Sequence, residues 1–122
     1  MLLDTNIVIY ACKQGGEWLG TWTNGPEAAI ASVTRIESLG YAGISREEDE
    51  AIRKFIATSL NYPLDDEIIE RAITLRQQKK MGLGDAIIAA TALEYDLPLV
   101  TRNEDDFKHI AGLTIINPFA TL

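Results

Sequence analysis

Four acidic places in this 122-residue chain lack an evident structural use, and their surroundings are alike. Asp4 ends the apolar pair Leu2-Leu3 and is followed by Thr5 and Asn6. Glu37 comes just after a small, β-branched stretch at 28–34. Asp85 stands at the head of an apolar stretch, and Asn103, Glu104, Asp105 and Asp106 follow the apolar residues 97–100. Each place follows a buried strand or opens a helix, and in open α/β sheets ligands gather at the carboxyl ends of the strands. Carboxylates brought together there repel and raise one another's pKa unless a cation lies among them. An oxygen-only set suits Mg²⁺ or Mn²⁺. The chain has one histidine and one cysteine, too few to suggest zinc. A carboxylate-held cation at a sheet edge favours attack of water on a phosphodiester. It lowers the pKa of bound water and neutralises developing charge, alone or as two ions ~4 Å apart. Asp4 by itself is ambiguous: Asp is also a favoured helix N-cap, and its own neighbours suit either reading.

The elements that must position these acids alternate. Residues 2–3 read as a short buried strand and 7–12 as a short helix, broken by Lys13-Gln14-Gly15-Gly16. Residues 17–23 form a weaker helical stretch that puts Trp18 and Trp22 on one face, suited to core or lid packing. A second strand is expected at 28–34, leading into a helix with Glu37 one turn in. Ser45 and Glu48 make the capping pattern Ser-x-x-Glu, and the acids 47–50 suit the positive end of the helix dipole. That acid run is a helix start, and Ala51, Ile52, Phe55 and Ile56 continue it as an apolar stripe. Residues 60–64 are a short strand or extended link, and Asp65 opens a further helix. The stretch 86–95 is apolar nearly all round, hence a buried central helix. Strands follow at 97–101 and 113–116, with a helical turn at 107–110 between them. Strands alternating with helices predict an α/β fold in three layers, with a mainly parallel central sheet.

Length fits a single domain, 1–122, large enough for a real core. No apolar run approaches the ~20 residues that span a bilayer, and Met1 enters a strand rather than a charged leader, so no membrane association and a cytoplasmic setting are expected. A single cysteine, Cys12, agrees with a reducing compartment and reads as a small core residue. Net charge is −7, the opposite of what a basic nucleic-acid-binding face would give. Solubility accounts for most of the surface acids; the rest can hold cations that contact phosphate, or attract a basic partner.

Four stretches resemble the signature segments of PIN domains, in register and in order. They are Leu2-Leu3-Asp4-Thr5-Asn6-Ile7-Val8-Ile9-Tyr10, Ser32-Val33-Thr34-Arg35-Ile36-Glu37-Ser38-Leu39-Gly40, Gly84-Asp85-Ala86-Ile87-Ile88-Ala89-Ala90-Thr91-Ala92 and Leu99-Val100-Thr101-Arg102-Asn103-Glu104-Asp105-Asp106-Phe107. The chain is most similar to VapC-type toxins of that family, and the resemblance covers nearly all of it, to Ile115-Ile116-Asn117-Pro118. It implies a PIN-like α/β/α domain and an Mg²⁺- or Mn²⁺-dependent ribonuclease, with Asp4, Glu37 and Asp85 as the acidic metal-site residues. Thr5 and Asn6 match the polar pair supporting the first acid, and Thr101 the hydroxyl near the fourth. The family commonly places its fourth acid in Thr-x-Asp; here that position is Asn103, which offers one oxygen and no charge. Asp106 precedes Phe107 in the family's frequent Asp-Phe pair, where a structural part is the plainer reading; Asp105 reads as solvated. Arg102, beside the acids, is a candidate contact to RNA phosphate, with plain surface placement as the alternative.

The resemblance further implies an RNA substrate, a cognate antitoxin protein lying in the acid groove, and a homodimer, for which Trp18, Trp22 and Tyr41 are the apolar candidates. Choice of RNA would fall to the loops 13–25 and 79–84. The competing reading is a PIN-like module that binds RNA or protein with weak or no catalysis, its fourth acid lost. An aspartyl phosphatase would need a second acid two residues after Asp4, where Asn6 stands. A receiver domain would need paired acids after the first strand, and these are missing.

Overall fold

A computed structural model describes residues 1–121, so the last residue of the expected domain, Leu122, lies outside the described residues. Five strands are β1 (Leu2–Leu3), β2 (Ala29–Ala31), β3 (Leu60–Tyr62), β4 (Leu99–Val100) and β5 (Ile115–Ile116). Six α-helices are α1 (Thr5–Ala11), α2 (Gly20–Thr23), α3 (Ser32–Leu39), α4 (Arg46–Ala57), α5 (Asp66–Gln78) and α6 (Leu83–Glu94). The sheet order is β3-β2-β1-β4-β5 and every pairing is parallel.

Side-chain alternation along such short strands builds the layers. Leu2, Ala29, Ala31 and Leu99 face α5 and α6, together with Ile68, Leu75, Ala86, Ile88 and Ala89. Leu3, Ile30 and Val100 face the other way, against Ile7 and Val8 of α1, with Trp22 of α2 and Phe55 and Ile56 of α4 packed around them. Leu2 and Leu3 are both fully buried, each on its own face, which stabilises the fold by roughly 1.5–3 kcal/mol per side chain. The run Ala86 to Ala92 is buried on every side, so α6 sits in the core as its composition predicts. Its alanines leave little between the helix and the sheet. The expected α/β/α layering with a parallel sheet is what the chain adopts.

Four expectations need adjustment. The strand expected over 97–101 keeps only Leu99 and Val100, and the helical turn expected at 107–110 forms instead as a 3₁₀ turn over Glu104–Asp106. The strand predicted over 28–34 stops at Ala31, and α3 begins at Ser32. Val33 and Thr34 favour strands locally, but packing overrides that preference: inside α3 Thr34 is fully buried and its hydroxyl meets Thr5. The last strand keeps only Ile115 and Ile116 of the predicted 113–116. Among the described residues no helix is long and apolar enough to cross a membrane.

β1 lies in the middle of the sheet, and the chain leaves it toward β2 on one side and reaches β4 on the other. That reversal opens a crevice beyond the carboxyl ends of β1 and β4. Asp4 is the first residue after β1, and Thr101 the first after β4.

Candidate active site

Asp4 leaves β1 in an extended conformation and becomes the N-cap of α1. Its Oδ1 accepts from the Thr5 backbone N–H at 2.8 Å, and its Oδ2 accepts from Thr101 Oγ1 at 2.7 Å. Asp4 therefore both caps a helix and stands in the crevice. Burial pushes its carboxyl above the ordinary range, against the pull of the Thr101 and Thr5 hydrogen bonds, with Glu37 and Asp106 adding repulsion.

Glu37 reaches the same point from α3. Its Oε1 accepts from Thr5 Oγ1 at 2.7 Å, and Thr5 Oγ1 lies 3.0 Å from Thr34 Oγ1. Thr5 has one hydroxyl proton, which the carboxylate takes, so Thr34 must donate to Thr5. The relay Thr34–Thr5–Glu37 ties α3 to α1. Gly84 completes the approach from α6, because a Cβ there would collide with the Glu37 carboxylate.

Asp85 follows Gly84 in the first turn of α6. It is half-buried, and its side chain makes no hydrogen bond among the described residues. Burial first, then repulsion from Asp4, Asp106 and Glu37, pushes its carboxyl up to about 6. The helix dipole favours a charge at this place. Desolvation and three neighbouring acids outweigh it.

On the far side, Thr101 is fully buried; it donates to Asp4 and accepts from the Asn103 backbone N–H at 3.0 Å. Asn103 thus shapes the turn through its backbone, and its side chain makes no hydrogen bond among the described residues. The following 3₁₀ turn, Glu104–Asp106, brings Asp106 back to the pocket, where its charge bears on both Asp4 and Asp85. Asn6 is exposed, with no side-chain hydrogen bond among the described residues. Sequence reasoning passed over Thr34 and Gly84 as site residues. A glycine in the first turn of an otherwise apolar helix was the available signal for Gly84. His109, the one other reactive candidate in the sequence, set aside there as remote from Cys12, has both ring nitrogens buried without a partner among the described residues, beside the cleft that Asp85 and Asp106 line.

None of Asp4, Glu37, Asp85 and Asp106 has a basic partner; the four ion pairs among the described residues lie elsewhere. A cleft of about 220 Å³ beside Asp85 and Asp106 has Lys79 and Lys80 on its rim. A cavity of about 730 Å³ between α5 and α6 is lined mostly by apolar side chains and by none of these acids.

Whether a divalent cation fits can be judged from the donors. Among the described residues no group of three or more Asp, Glu, His or Cys side chains is placed to hold a metal ion as it stands. Mg²⁺ does not need such a group, since it keeps several waters and takes one or two carboxylates. An all-oxygen set with uncompensated charge and a carboxyl raised to about 6 is relieved by such a cation, and the residues fit it.

Residues 1–113 match the family described as PIN domain. The chain is 30% identical to a "Ribonuclease VapC" of Rickettsia bellii, over 95% of this chain and 94% of that protein. It is similar to a solved toxin–antitoxin complex from Klebsiella pneumoniae, with 34% identity, a TM-score of 0.77 and 96% of each chain covered. A VapBC2 structure from Rickettsia felis, bound to a promoter DNA fragment, shares the fold at a TM-score of 0.80 and 22% identity, covering 95% of this chain and 96% of that one. With these matches along nearly its whole length, and with its acids gathered at the sheet's switch point, the chain belongs to the PIN-domain family.

Proposed function

We propose that this protein is an endoribonuclease that cleaves RNA phosphodiesters by attack of water, assisted by Mg²⁺ or Mn²⁺. The observation that carries the reading is that the charges of Glu37 and Asp106 bear on both Asp4 and Asp85, raising them, with no ion pair to any of the four among the described residues. Relatives bearing the name ribonuclease support the same chemistry.

Asp4, Glu37 and Asp85 would hold the cation, with Asp106 supplying the fourth charge and Asn103 shaping the turn behind it. A bound divalent cation supplies Lewis acidity at the scissile phosphate and lowers the pKa of its water. The remaining work belongs to the chain. Thr101 and the Thr5 N–H fix both Asp4 oxygens, so that carboxylate is oriented before substrate arrives. Thr5, backed by Thr34, aims the Glu37 carboxylate. Asp85, raised to about 6 by burial and its acidic neighbours, would give up its proton on holding the cation and add its charge to the site. Lys79 and Lys80 stand beside Asp85 to take the charge of the RNA backbone.

In this reading the protein is the toxin of a toxin–antitoxin pair, as the Klebsiella pneumoniae complex suggests, and its antitoxin covers the acid groove. A homodimer belongs to the same reading. Trp18 packs edge-on against Trp22 at 6.2 Å and against Phe119 at 5.0 Å, so both tryptophans take part in packing, the use their spacing suggested first, and Trp18 stays partly exposed. The more open apolar surface is Leu64, Ile69, Ile73 and Leu83 around the α5–α6 cavity. A light-scattering mass of one chain at micromolar concentration would count against the dimer.

The test of activity uses unstructured single-stranded RNA. Cleavage is expected with Mg²⁺ or Mn²⁺ and not with EDTA, and Asp4→Asn is expected to abolish it. Metal-independent cleavage that survives Asp4→Asn would sink the reading.

A further inference from the structure

Arg102 is held in an unusual way for an exposed arginine. Its Cζ lies 4.5 Å from the Phe119 ring centroid and 5.3 Å from that of Tyr10, and one guanidinium N–H donates to the Tyr10 hydroxyl at 2.7 Å. The two rings are themselves 5.3 Å apart. Rings fix a guanidinium without neutralising it. Arg46, Arg53 and Arg71 are each spent on a carboxylate, whereas Arg102 has no acidic partner among the described residues. Its remaining N–H donors are likewise without a protein acceptor among them.

Its place gives that charge a use. Arg102 follows Thr101, the residue bonded to Asp4. Tyr10 lies one helical turn beyond Asn6 on the same face of α1, so this face leads from the acid crevice to the arginine. A cleft of about 270 Å³ runs from Arg102 to Asp106, and it shares Asp105 and Asp106 with the cleft that Lys79 and Lys80 rim. Asp105 and Asp106 thus lie where the cleft lined by Arg102 meets the one lined by Lys79, Lys80 and Asp85. With a net charge of −7, such local cations add to whatever hold the acid-bound metal has on a polyanion.

We propose that Arg102, clamped by Tyr10 and Phe119, is a preset anchor for a non-scissile phosphate of the RNA strand, which fixes the strand as it crosses the acids. The anchor rests on the ribonuclease reading and deepens it. Free N–H edges suit the paired oxygens of a phosphate. A carboxylate of a protein partner would satisfy the same edges; the lysines beyond Asp106 favour a chain of phosphates, which gains a second foothold there.

The experiment measures binding of a fluorescent, unstructured RNA of about a dozen nucleotides to the full-length Asp4→Asn protein in EDTA, across a salt series. Introducing Arg102→Gln is expected to weaken binding about tenfold and to flatten the slope of log K against log salt by about 0.7, the share of one phosphate on a single strand. Tyr10→Leu keeps the charge but releases it, so affinity is expected to fall with the slope retained. In the otherwise wild-type protein, Arg102→Gln should raise KM more than it lowers kcat. A lowered Tm with an unchanged slope would overturn the anchor and leave Arg102 a structural clamp. Loss of antitoxin binding with RNA affinity and slope intact would overturn it in favour of a protein ligand. Absence of RNA binding by the Asp4→Asn protein itself would overturn the anchor together with the ribonuclease reading, an outcome distinct from the other two.

Discussion

The acids at the start of α4 and the acids beyond β1 are the same side chains under opposite conditions. Along α4, Ser45 caps the Glu48 N–H at 3.0 Å, and Glu47, Glu48 and Asp49 occupy the first turn. Arg46 pairs with Glu50 at 3.0 Å and Arg53 with Asp49 at 2.8 Å. The Tyr41 hydroxyl, first among several partners, holds Glu48 below the usual carboxylate range. Every charge there has water, a base or a dipole. In the crevice Asp4 and Asp85 also sit at helix N-termini, yet both are pushed upward because burial and mutual repulsion prevail. The difference teaches that an acid's environment, more than its count or its place on a helix, marks it for chemistry. It also means that the crevice is built at the expense of stability.

Substitutions can break this comparison from the crevice side first. Asp4→Asn removes the charge held by both Thr101 and Thr5, and RNA cleavage is expected to fall by about 10³-fold in a steady-state assay. Asp106→Asn is expected to cost about 10²-fold and Asn103→Ala less than about tenfold, since the Asp106 charge reaches Asp4 and Asp85 while Asn103 works through its backbone. The reverse ranking in the same assay would assign the fourth position to Asn103.

A stability measurement sharpens the contrast. The folded-state pKa of Asp85, about 6, lies above the ordinary value of 3.8, so the folded state holds this proton more tightly than the unfolded chain does. Below the lower value the group is protonated in both states and costs nothing. As pH rises through about 6, the folded protein must ionise it, and stability is lost. Asp85→Asn cannot ionise. It is expected to make the metal-free protein more stable at pH 8 by about 1 kcal/mol, allowing for solvent screening of a half-exposed group, with the gain vanishing near pH 4. Denaturant unfolding at the two pH values reads this directly. The smallest effect belongs to α4: Arg53→Ala should change stability by no more than about 0.5 kcal/mol and leave cleavage untouched.

Much of this was legible in the residues, for a physical reason. Apolar runs that stop on an acid give away strand ends, so Asp4, Glu37 and Asp85 stood out, and the alternation of strands and helices gave the layers. What escaped depended on distant partners. Val33 and Thr34 read as strand because nothing local reveals that Thr34 must reach Thr5. A spacing pattern pointed to Asn103, and the 3₁₀ turn after it also brings the charge of Asp106 to bear on the acids. The role of Gly84 depends on how closely α6 meets Glu37. The clamp on Arg102 requires Phe119, which the C-terminal turn returns to α1.

The claim that unites these features is that unpaired acids in the crevice await a divalent cation. Calorimetric titration of Mn²⁺ into the protein at pH 6, in buffers of different ionisation enthalpy, tests it most directly. Binding with release of protons is expected, because Asp85 must ionise to bind, and the release should shrink at pH 8 and be smaller in Asp85→Asn. No binding, or binding with the same proton balance in the wild type and in Asp85→Asn, would contradict the account.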